Sequence, residues 1–200
     1  MLWLILSVLL WGFLHSVLAS LKGKDLVRRW LGDRAVRFYR LGYNVIACVS
    51  FLPVLAIAAL TLDRQLYHVP LPWSLFMVAG EFLAVIALVV GFLQTDAWEF
   101  LGLRQLGNND HPSKLTTSGL YHYIRHPLYT AGLAFIWMMP LMTVNVLVIN
   151  LSLTIYVITG AFLEERRLRR EFGQDYYDYM VVTPMFIPFL KGNKSPHESS

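Results

Sequence analysis

Two groups of polar side chains lie on either side of a long apolar segment near the C-terminal end of the sequence. The first group contains Arg125, His126 and Tyr129, and the second contains Glu164 and Glu165. Roughly 35 mostly apolar residues separate the two groups, which is about two bilayer crossings at ~1.5 Å per helical residue. A helical hairpin would return the second group to the membrane face of the first. We therefore expect the five side chains to line one pocket.

This combination of side chains suits a ligand that carries both anionic and cationic groups. A guanidinium can form a bidentate pair with a carboxylate, while carboxylates can hold an amine or hydroxyl groups. Tyrosine rings can contact an apolar ring or a cation. Taken singly, each group also has a structural explanation, because basic residues mark the inner membrane interface and glutamates pair with arginines along a helix. The joint spacing is what favours a binding site.

The composition indicates a polytopic, all-α membrane protein. Hydrophobic residues make up 56% of the 200 residues and charged residues 15%, and the apolar residues are clustered in long runs. Residues 1–190 are expected to form a single domain, followed by a polar tail at 191–200. The single cysteine, Cys48, excludes an internal disulfide and gives no further signal about the redox compartment.

Five apolar segments are candidate membrane-spanning helices. A kink is expected at Pro53 in the second segment, and Gly173 is expected to end the charged extension of the fifth. A signal peptide is the alternative interpretation of the first segment, and it is disfavoured because no basic residues precede the apolar run. Between the segments we expect a basic loop with a short interfacial helix at 22–40, a turn at 63–72 and a polar loop at 96–125. The five segments are 1–21, 39–62, 73–94, 128–142 and 146–163.

The distribution of basic residues predicts the orientation of these helices. If the N-terminus lies outside, all 17 Lys and Arg except Arg64 fall on the inner side. The C-terminus and both polar groups then face the cytoplasm. The net charge of +4 is thereby explained by membrane orientation, with no role for nucleic acid. The small size favours a bacterial inner membrane. Tyr176, Tyr177 and Tyr179 are expected to belong to an aromatic belt at the membrane interface.

The two polar groups belong to longer, ordered patterns. These read Gly119-x-Tyr121-x-x-x-Arg125-His126-Pro127-x-Tyr129, then Glu164-Glu165-x-x-Leu168-x-x-x-Phe172-Gly173-x-x-Tyr176-x-x-Tyr179, and end in Ile187-Pro188. The arrangement resembles the isoprenylcysteine carboxyl methyltransferase-like superfamily of integral membrane methyltransferases, which includes phospholipid methyltransferases and bacterial thiol methyltransferases. The resemblance implies that residues 115–188 form a pocket for S-adenosylmethionine. No metal is expected.

The resemblance also implies two overlapping sets of site residues. Arg125, His126 and Glu165 are the candidate catalytic residues. From their charges, and independently of the resemblance, we expect Arg125 to pair with the cofactor carboxylate and the glutamates to hold its amine or ribose hydroxyls. Pro127 is expected to begin the following helix. The candidate cofactor-binding residues are Leu115, Gly119, Tyr121, Arg125, His126, Pro127, Tyr129, Glu164 and Glu165.

A second pattern concerns the methyl acceptor. The pattern Trp11-x-x-x-His15-Ser16-x-x-Ala19-Ser20, together with Gly102-Leu103-Arg104-Gln105, is similar to the branch that contains methanethiol S-methyltransferases and NnrU-type proteins. This similarity favours a small or lipophilic thiol that enters from the membrane. A thiol must be deprotonated before it attacks, and His126 or His15 is a candidate base. The candidate substrate contacts are His15, Asn44 and Glu81.

Three alternatives to a thiol methyltransferase stay open. The acceptor could be a prenylcysteine carboxylate or a phospholipid amine. A sterol-type membrane reductase that uses NADPH also resembles the His-Pro-x-Tyr block, although Leu128 and the sequence Ala131-Gly132-Leu133 disfavour it. A non-catalytic membrane accessory protein is the third class. Cofactor binding distinguishes these classes, whereas the sequence does not predict an oligomeric state.

Overall fold

The computed structural model describes residues 2–95 and 114–188, and these residues form seven helices and two short strands. They divide into two compact units. Among the described residues, the first unit contains 2–68 and 141–153, and the second contains 69–95, 114–140 and 154–188. In chain order the elements are α1 Leu2–Ala19, α2 Leu21–Leu60, β1 Gln65–His68, α3 Trp73–Gln94, α4 Leu120–Tyr123, α5 Pro127–Trp137, β2 Leu141–Thr143, α6 Val144–Phe172 and α7 Gln174–Val182.

The prediction of a polytopic helical membrane protein is confirmed. Four helical stretches are long and apolar enough to cross a membrane, and α5 is a fifth, shorter apolar helix. Many large apolar side chains on these helices are exposed, as expected for surfaces that contact lipid. The four long stretches are Leu2–Ala19, Leu41–Leu60, Trp73–Gln94 and Val144–Phe172.

The fifth apolar helix is shorter than the sequence predicts. The expected segment was 128–142, but α5 contains 11 residues and ends at Trp137. At ~1.5 Å per residue it covers roughly half of the ~30 Å hydrocarbon core. Pro140 explains the early end, because proline has no backbone N–H to donate and disfavours helical geometry in the residue before it. The Pro140 carbonyl instead accepts a hydrogen bond from Val69 at 2.9 Å.

In the first unit, α1 packs along α2 around a small apolar core. Leu4, Val8 and Val54 are buried there. The indole of Trp11 donates to the Ala47 carbonyl at 2.9 Å, which ties the two helices together by a polar contact. The basic segment 22–40, predicted as a loop with a short helix, is helical and belongs to α2.

A glycine interrupts this long helix. Gly32 has φ 78° and ψ 178°, a conformation that residues with a side chain rarely adopt. The chain therefore bends there, within the basic segment 22–40 and before the apolar stretch Leu41–Leu60.

The start of α6 is held by the last turn of α2 and the residues that follow it. Asp63 accepts a hydrogen bond from the Asn145 backbone N–H at 3.0 Å, which satisfies a donor at the N-terminus of α6. The buried Asn145 amide donates to the Ala58 carbonyl and to the Thr61 hydroxyl, each at 3.0 Å. The region predicted as a turn at 63–72 contains β1, which pairs antiparallel with β2.

In the second unit, α3 packs along α5, and its last residue reaches the start of α4. A Cβ added to Gly91 would lie 3.1 Å from Leu128, so glycine permits the close approach of the two helices. At the end of α3, the Gln94 side-chain oxygen accepts a hydrogen bond from the Leu120 backbone N–H at 2.8 Å. This contact places the segment that carries the first polar group against the end of a long helix.

Candidate functional site

The segment between α4 and α5 carries the arginine and histidine of the first polar group. Ile124 is extended, with φ −147° and ψ 144°, and ends α4. His126 precedes α5 and Pro127 is at its first turn, as predicted, because proline is pre-organised for that position. A residue before proline is disfavoured in helical geometry, which accounts for the non-helical His126. The side chains of Arg125 and His126 are consequently directed by the turn into the interior.

The second unit brings the two polar groups together, as the sequence predicts. Arg125 Nε donates to Glu165 Oε1 at 2.7 Å, and each of these side chains is 6% exposed. Arg125 Nη1 also donates to the Thr183 carbonyl and, at 3.3 Å, to the Met180 carbonyl. These carbonyls lie at the C-terminal end of α7, where the partial negative charge of a helix favours a cation. The arginine is therefore fixed by a carboxylate and by a helix end.

The imidazole of His126 lies between the two glutamates. Its Nε2 is 3.3 Å from Glu165 Oε1, and its Nδ1 is 3.8 Å from Glu164 Oε2. The Tyr129 ring stacks on the imidazole with ring centroids 5.3 Å apart and 8° between the planes. The centroid of the Phe186 ring lies 5.7 Å from that of the imidazole. A carboxylate oxygen therefore lies near each ring nitrogen, and the aromatic rings fix the plane of the imidazole.

The adjacent glutamates have different environments. Glu165 is buried, whereas the Glu164 side chain is 34% exposed. Glu164 Oε2 accepts a hydrogen bond from the Tyr129 hydroxyl at 2.8 Å. Burial, together with the negative charge of Glu164, raises the pKa of Tyr121 to about 12. The accessible carboxylate is thus Glu164, and neutral tyrosine hydroxyls lie around it.

Two tyrosines that were predicted to lie in a membrane-interface belt are buried beside this cluster, so that prediction is wrong for them. Tyr176 is 1% exposed with its hydroxyl 3.5 Å from Glu165 Oε1, and the Tyr179 hydroxyl donates to the Tyr121 carbonyl at 2.5 Å. Burial and the nearby carboxylate raise the pKa of Tyr176, and burial raises the pKa of Tyr179. Tyr177 is exposed, which is compatible with the predicted position.

The segment after α7, at 184–186, is hydrogen-bonded through its backbone carbonyls to the turn that carries Arg125 and His126. The backbone N–H groups of Arg125 and His126 donate to the carbonyls of Pro184 and Met185, at 2.9 and 3.1 Å. The Thr130 hydroxyl donates to the Phe186 carbonyl at 2.9 Å. Sequence reasoning missed Thr130 and the role of these carbonyls. The only signal was that the pattern extends to Ile187-Pro188.

The remaining candidate residues have less specific surroundings. Leu115 is half-buried before α4, and Glu81 is half-buried on α3. His15 and Asn44 belong to the first unit, where the His15 ring lies 5.4 Å from Trp11 and 5.9 Å from Tyr43. Their assignment as substrate contacts stays a prediction. The pattern at 102–105 lies outside the described residues.

The fold and the site define an integral membrane protein whose apolar helices carry a buried Arg-His-Glu cluster with one accessible carboxylate. Comparison with known sequences identifies the group to which this protein belongs. The sequence profile of the phospholipid methyltransferase family matches residues 75–175, and the chain belongs to this family. The matched range includes both polar groups.

Curated relatives give the similarity in more detail. A protein named methanethiol S-methyltransferase from Crocosphaera subtropica is 40% identical over 116 residues, covering 56% of this chain and 45% of that protein. Methanethiol S-methyltransferase 2 from Bradyrhizobium diazoefficiens is 29% identical over 200 residues, covering 93% of this chain and 72% of that protein. A phosphatidylethanolamine N-methyltransferase from Paracoccidioides lutzii is 29% identical over 119 residues, covering 55% of this chain and 12% of that protein.

In two of the strongest alignments, the chain spans about half the length of the curated relatives it matches. No solved structure matches the chain.

Proposed function

We propose that this protein is a membrane-embedded methyltransferase that uses S-adenosylmethionine and methylates a small or lipophilic thiol. The observation that carries the proposal is the pair of adjacent glutamates, of which Glu165 is neutralised by Arg125 and Glu164 stays accessible. Membership of the phospholipid methyltransferase family supports methyl transfer, and the names of the bacterial relatives favour sulfur as the acceptor atom.

The side chains around Glu164 fit the charges of S-adenosylmethionine, which supplies an activated methyl group on a sulfonium. Glu164 offers a carboxylate to the amine, and a charge-assisted hydrogen bond of this kind is strong. The Tyr129 ring, held by its stack on His126, offers an aromatic face to a cation. Tyr121 is half-buried near the same carboxylate and can wall the adenine. Gly119, Leu115 and Pro127 complete the proposed pocket as backbone and apolar wall.

We assign Arg125 and Glu165 mainly to positioning within this site. Arg125 already donates from Nε and Nη1 to three protein acceptors, so only its remaining N–H groups are available to a cofactor carboxylate. Glu165 in turn holds the arginine and faces Nε2 of His126. The pair therefore orients the histidine, and alignment of the reacting groups is the main task that remains when a cofactor brings its own activated group.

His126 is the proposed base for the thiol. A thiol attacks as a thiolate, and the proton must move to a nearby acceptor. Glu164 and Glu165 lie near the two ring nitrogens and orient the imidazole for this transfer. His15, Asn44 and Glu81 remain proposed contacts to the acceptor on the membrane side.

The decisive experiment is calorimetric titration of the detergent-purified protein with S-adenosylmethionine, S-adenosylhomocysteine and NADPH in parallel. Saturable binding of the first two ligands, without binding of NADPH, is expected. Glu164→Gln should weaken that binding about 10- to 100-fold, because a charge-assisted hydrogen bond is lost. Glu171→Gln removes one charge from the same helix at an exposed position and is the matched control. Binding of NADPH alone would instead support a reductase.

The acceptor class is then tested by methylation assays that compare a small thiol, a prenylcysteine carboxylate and a phospholipid amine. We expect the thiol to be methylated fastest, with His126→Gln lowering the rate most at low pH, where little thiolate forms unaided. Equal methylation rates for the His126→Gln variant and the parent protein at every pH would contradict the role of His126 as the base. Preferred methylation of the carboxylate or the amine would overturn the choice of a thiol.

We also propose that the protein lies in a bacterial inner membrane with this site facing the cytoplasm. The concentration of basic residues on one side of the apolar segments supports that orientation. Reporter fusions at the C-terminus test it: a green fluorescent protein should fluoresce and an alkaline phosphatase should be inactive. The reverse result would place the site on the opposite face.

A further inference from the structure

A group of arginines lies on the last turns of α6, outside the proposed cofactor pocket. Arg166, Arg169 and Arg170 are spaced three and four residues apart, so they share one side of the helix. Together with Tyr177 of α7 they line a shallow cavity of about 200 Å³. We call these four residues the arginine cluster. The turn at Gly173, with φ 55°, sets α7 against the end of α6 and brings Tyr177 to the arginines.

Two arginines of this cluster have no carboxylate partner among the side chains that the structure describes. The neighbouring Arg167 lies 3.8 Å from Glu171, and Arg169 Nε donates to the Glu165 carbonyl at 3.3 Å. By contrast, no described carboxylate forms an ion pair with Arg166 or Arg170. Both side chains are exposed and keep their guanidinium N–H groups for another acceptor. Planar guanidinium groups match the oxygens of a phosphate especially well.

An exposed apolar surface lies next to the same cluster. Tyr177 is 48% exposed, and Val181, one helical turn further along α7, is 40% exposed. Val182 and Ile187 are also exposed. Arginines beside exposed apolar residues are typical of helices that lie in the interface between headgroups and acyl chains. A free phosphate ion would use the arginines but would leave these apolar side chains in water.

We propose that the arginine cluster binds the phosphate of an anionic phospholipid headgroup while α7 lies in the membrane interface. Clusters of four or more basic residues at the end of a membrane-spanning helix attract anionic lipids, and α6 carries four arginines in its last turns. Arg166 and Arg170 supply the free donors, and Tyr177 and Val181 contact the acyl-chain region. This lipid site is separate from the Glu164 carboxylate and does not depend on the methyl-transfer proposal.

The test is binding of short-chain phosphatidylglycerol to the full-length protein in neutral detergent, measured by lipid retention in native mass spectrometry. The double variant Arg166→Gln, Arg170→Gln should bind this lipid roughly 30-fold more weakly, since each arginine near an anionic lipid contributes about fivefold. Arg169 is left in place because it donates to the Glu165 carbonyl. The double variant Lys22→Gln, Arg29→Gln removes two exposed charges beside Asp25 and is the matched control.

Each outcome decides the proposal. Loss of phosphatidylglycerol in the arginine variant, with retention in the control and no competition by inorganic phosphate, supports the lipid site. Equal losses in both variants would show a general charge effect and overturn it. Competition by inorganic phosphate at the same concentration as the lipid would show a phosphate site with no lipid preference, and equal binding of phosphatidylcholine would show that charge is not recognised. The apparent unfolding temperature of each variant must match that of the parent protein. If the double variant unfolds at a lower temperature, the single variants Arg166→Gln and Arg170→Gln are measured in its place.

Discussion

Glu165 accepts a 2.7 Å hydrogen bond from Arg125 across 40 positions of sequence, whereas its neighbour Glu164 bonds to Tyr129 and stays partly exposed. The two carboxylates are adjacent in the chain but occupy different electrostatic environments. Pairs of like groups held in different environments commonly have different roles. We expect a buried positioning role for Glu165 and a ligand-binding role for Glu164, and this division can be measured.

Glu165→Gln should strongly destabilise the protein. The substitution keeps the shape of the side chain but leaves the Arg125 guanidinium buried without a countercharge. Breaking a buried pair in this way costs roughly 3–5 kcal/mol. A lower apparent unfolding temperature in detergent, measured by intrinsic fluorescence, is the expected result.

Glu164→Gln is the matched comparison on the adjacent residue. Because Glu164 is partly exposed, the change should cost no more than about 1 kcal/mol of stability. If the two variants lose equal stability, the assignment of separate roles to the two glutamates is wrong.

Tyr129→Phe should weaken cofactor binding and leave the fold intact. The variant removes the 2.8 Å hydrogen bond to Glu164 but keeps the ring that stacks on His126. The freed carboxylate becomes more mobile, and fixing it again when the cofactor binds should cost roughly 0.5–1.5 kcal/mol of affinity. Tyr123→Phe alters an exposed tyrosine of α4 and should bind S-adenosylmethionine like the parent. Calorimetry compares the two variants, and equal affinities would argue against an organising role for Tyr129.

Gly119→Ala should destabilise the start of the site. Gly119 has φ 64° and ψ −129°, which an alanine adopts only with strain of about 1–3 kcal/mol. An added Cβ would also lie 2.4 Å from the Gln94 amide, which accepts the Leu120 N–H and would have to move. Gly132→Ala, where nothing lies within 4 Å of an added Cβ, is the control and should be neutral or slightly stabilising. Thermal unfolding of both variants gives the comparison, and a Gly119→Ala protein as stable as the control would contradict the described turn.

Stability should fall as the pH rises above 10. Burial and the Glu164 charge raise the pKa of Tyr121 to about 12, and burial raises the pKa values of Tyr176 and Tyr179 above 10.0 as well. A phenol whose pKa is higher in the folded state contributes its full stability below the unfolded pKa and loses it as pH rises toward the folded value. Absorbance at the phenolate band should therefore increase late, at the pH of unfolding. Tyr176→Phe should remove one late-titrating phenol, and an unchanged titration curve would show that Tyr176 is not protected.

Much of the architecture could be predicted because it depends on local rules. The lengths of the apolar runs predict the long helices, the proline at position 127 predicts the start of α5, and the glycine at 173 predicts the end of α6. A hairpin of two apolar segments brings the polar groups at its two ends to the same side of the membrane. The contact between Arg125 and Glu165 confirms that the two groups meet.

The sequence by itself therefore determined the helical membrane architecture and the meeting of the arginine with the glutamates. Only the tertiary structure decided which glutamate is buried, because adjacent helical residues point about 100° apart and packing selects the direction that faces inward. It also decided that Tyr176 and Tyr179 are buried and that carbonyls of 184–186 hold the Arg-His turn. Such contacts join residues more than 50 positions apart, and hydrophobic periodicity carries no information about backbone groups that pair over that distance.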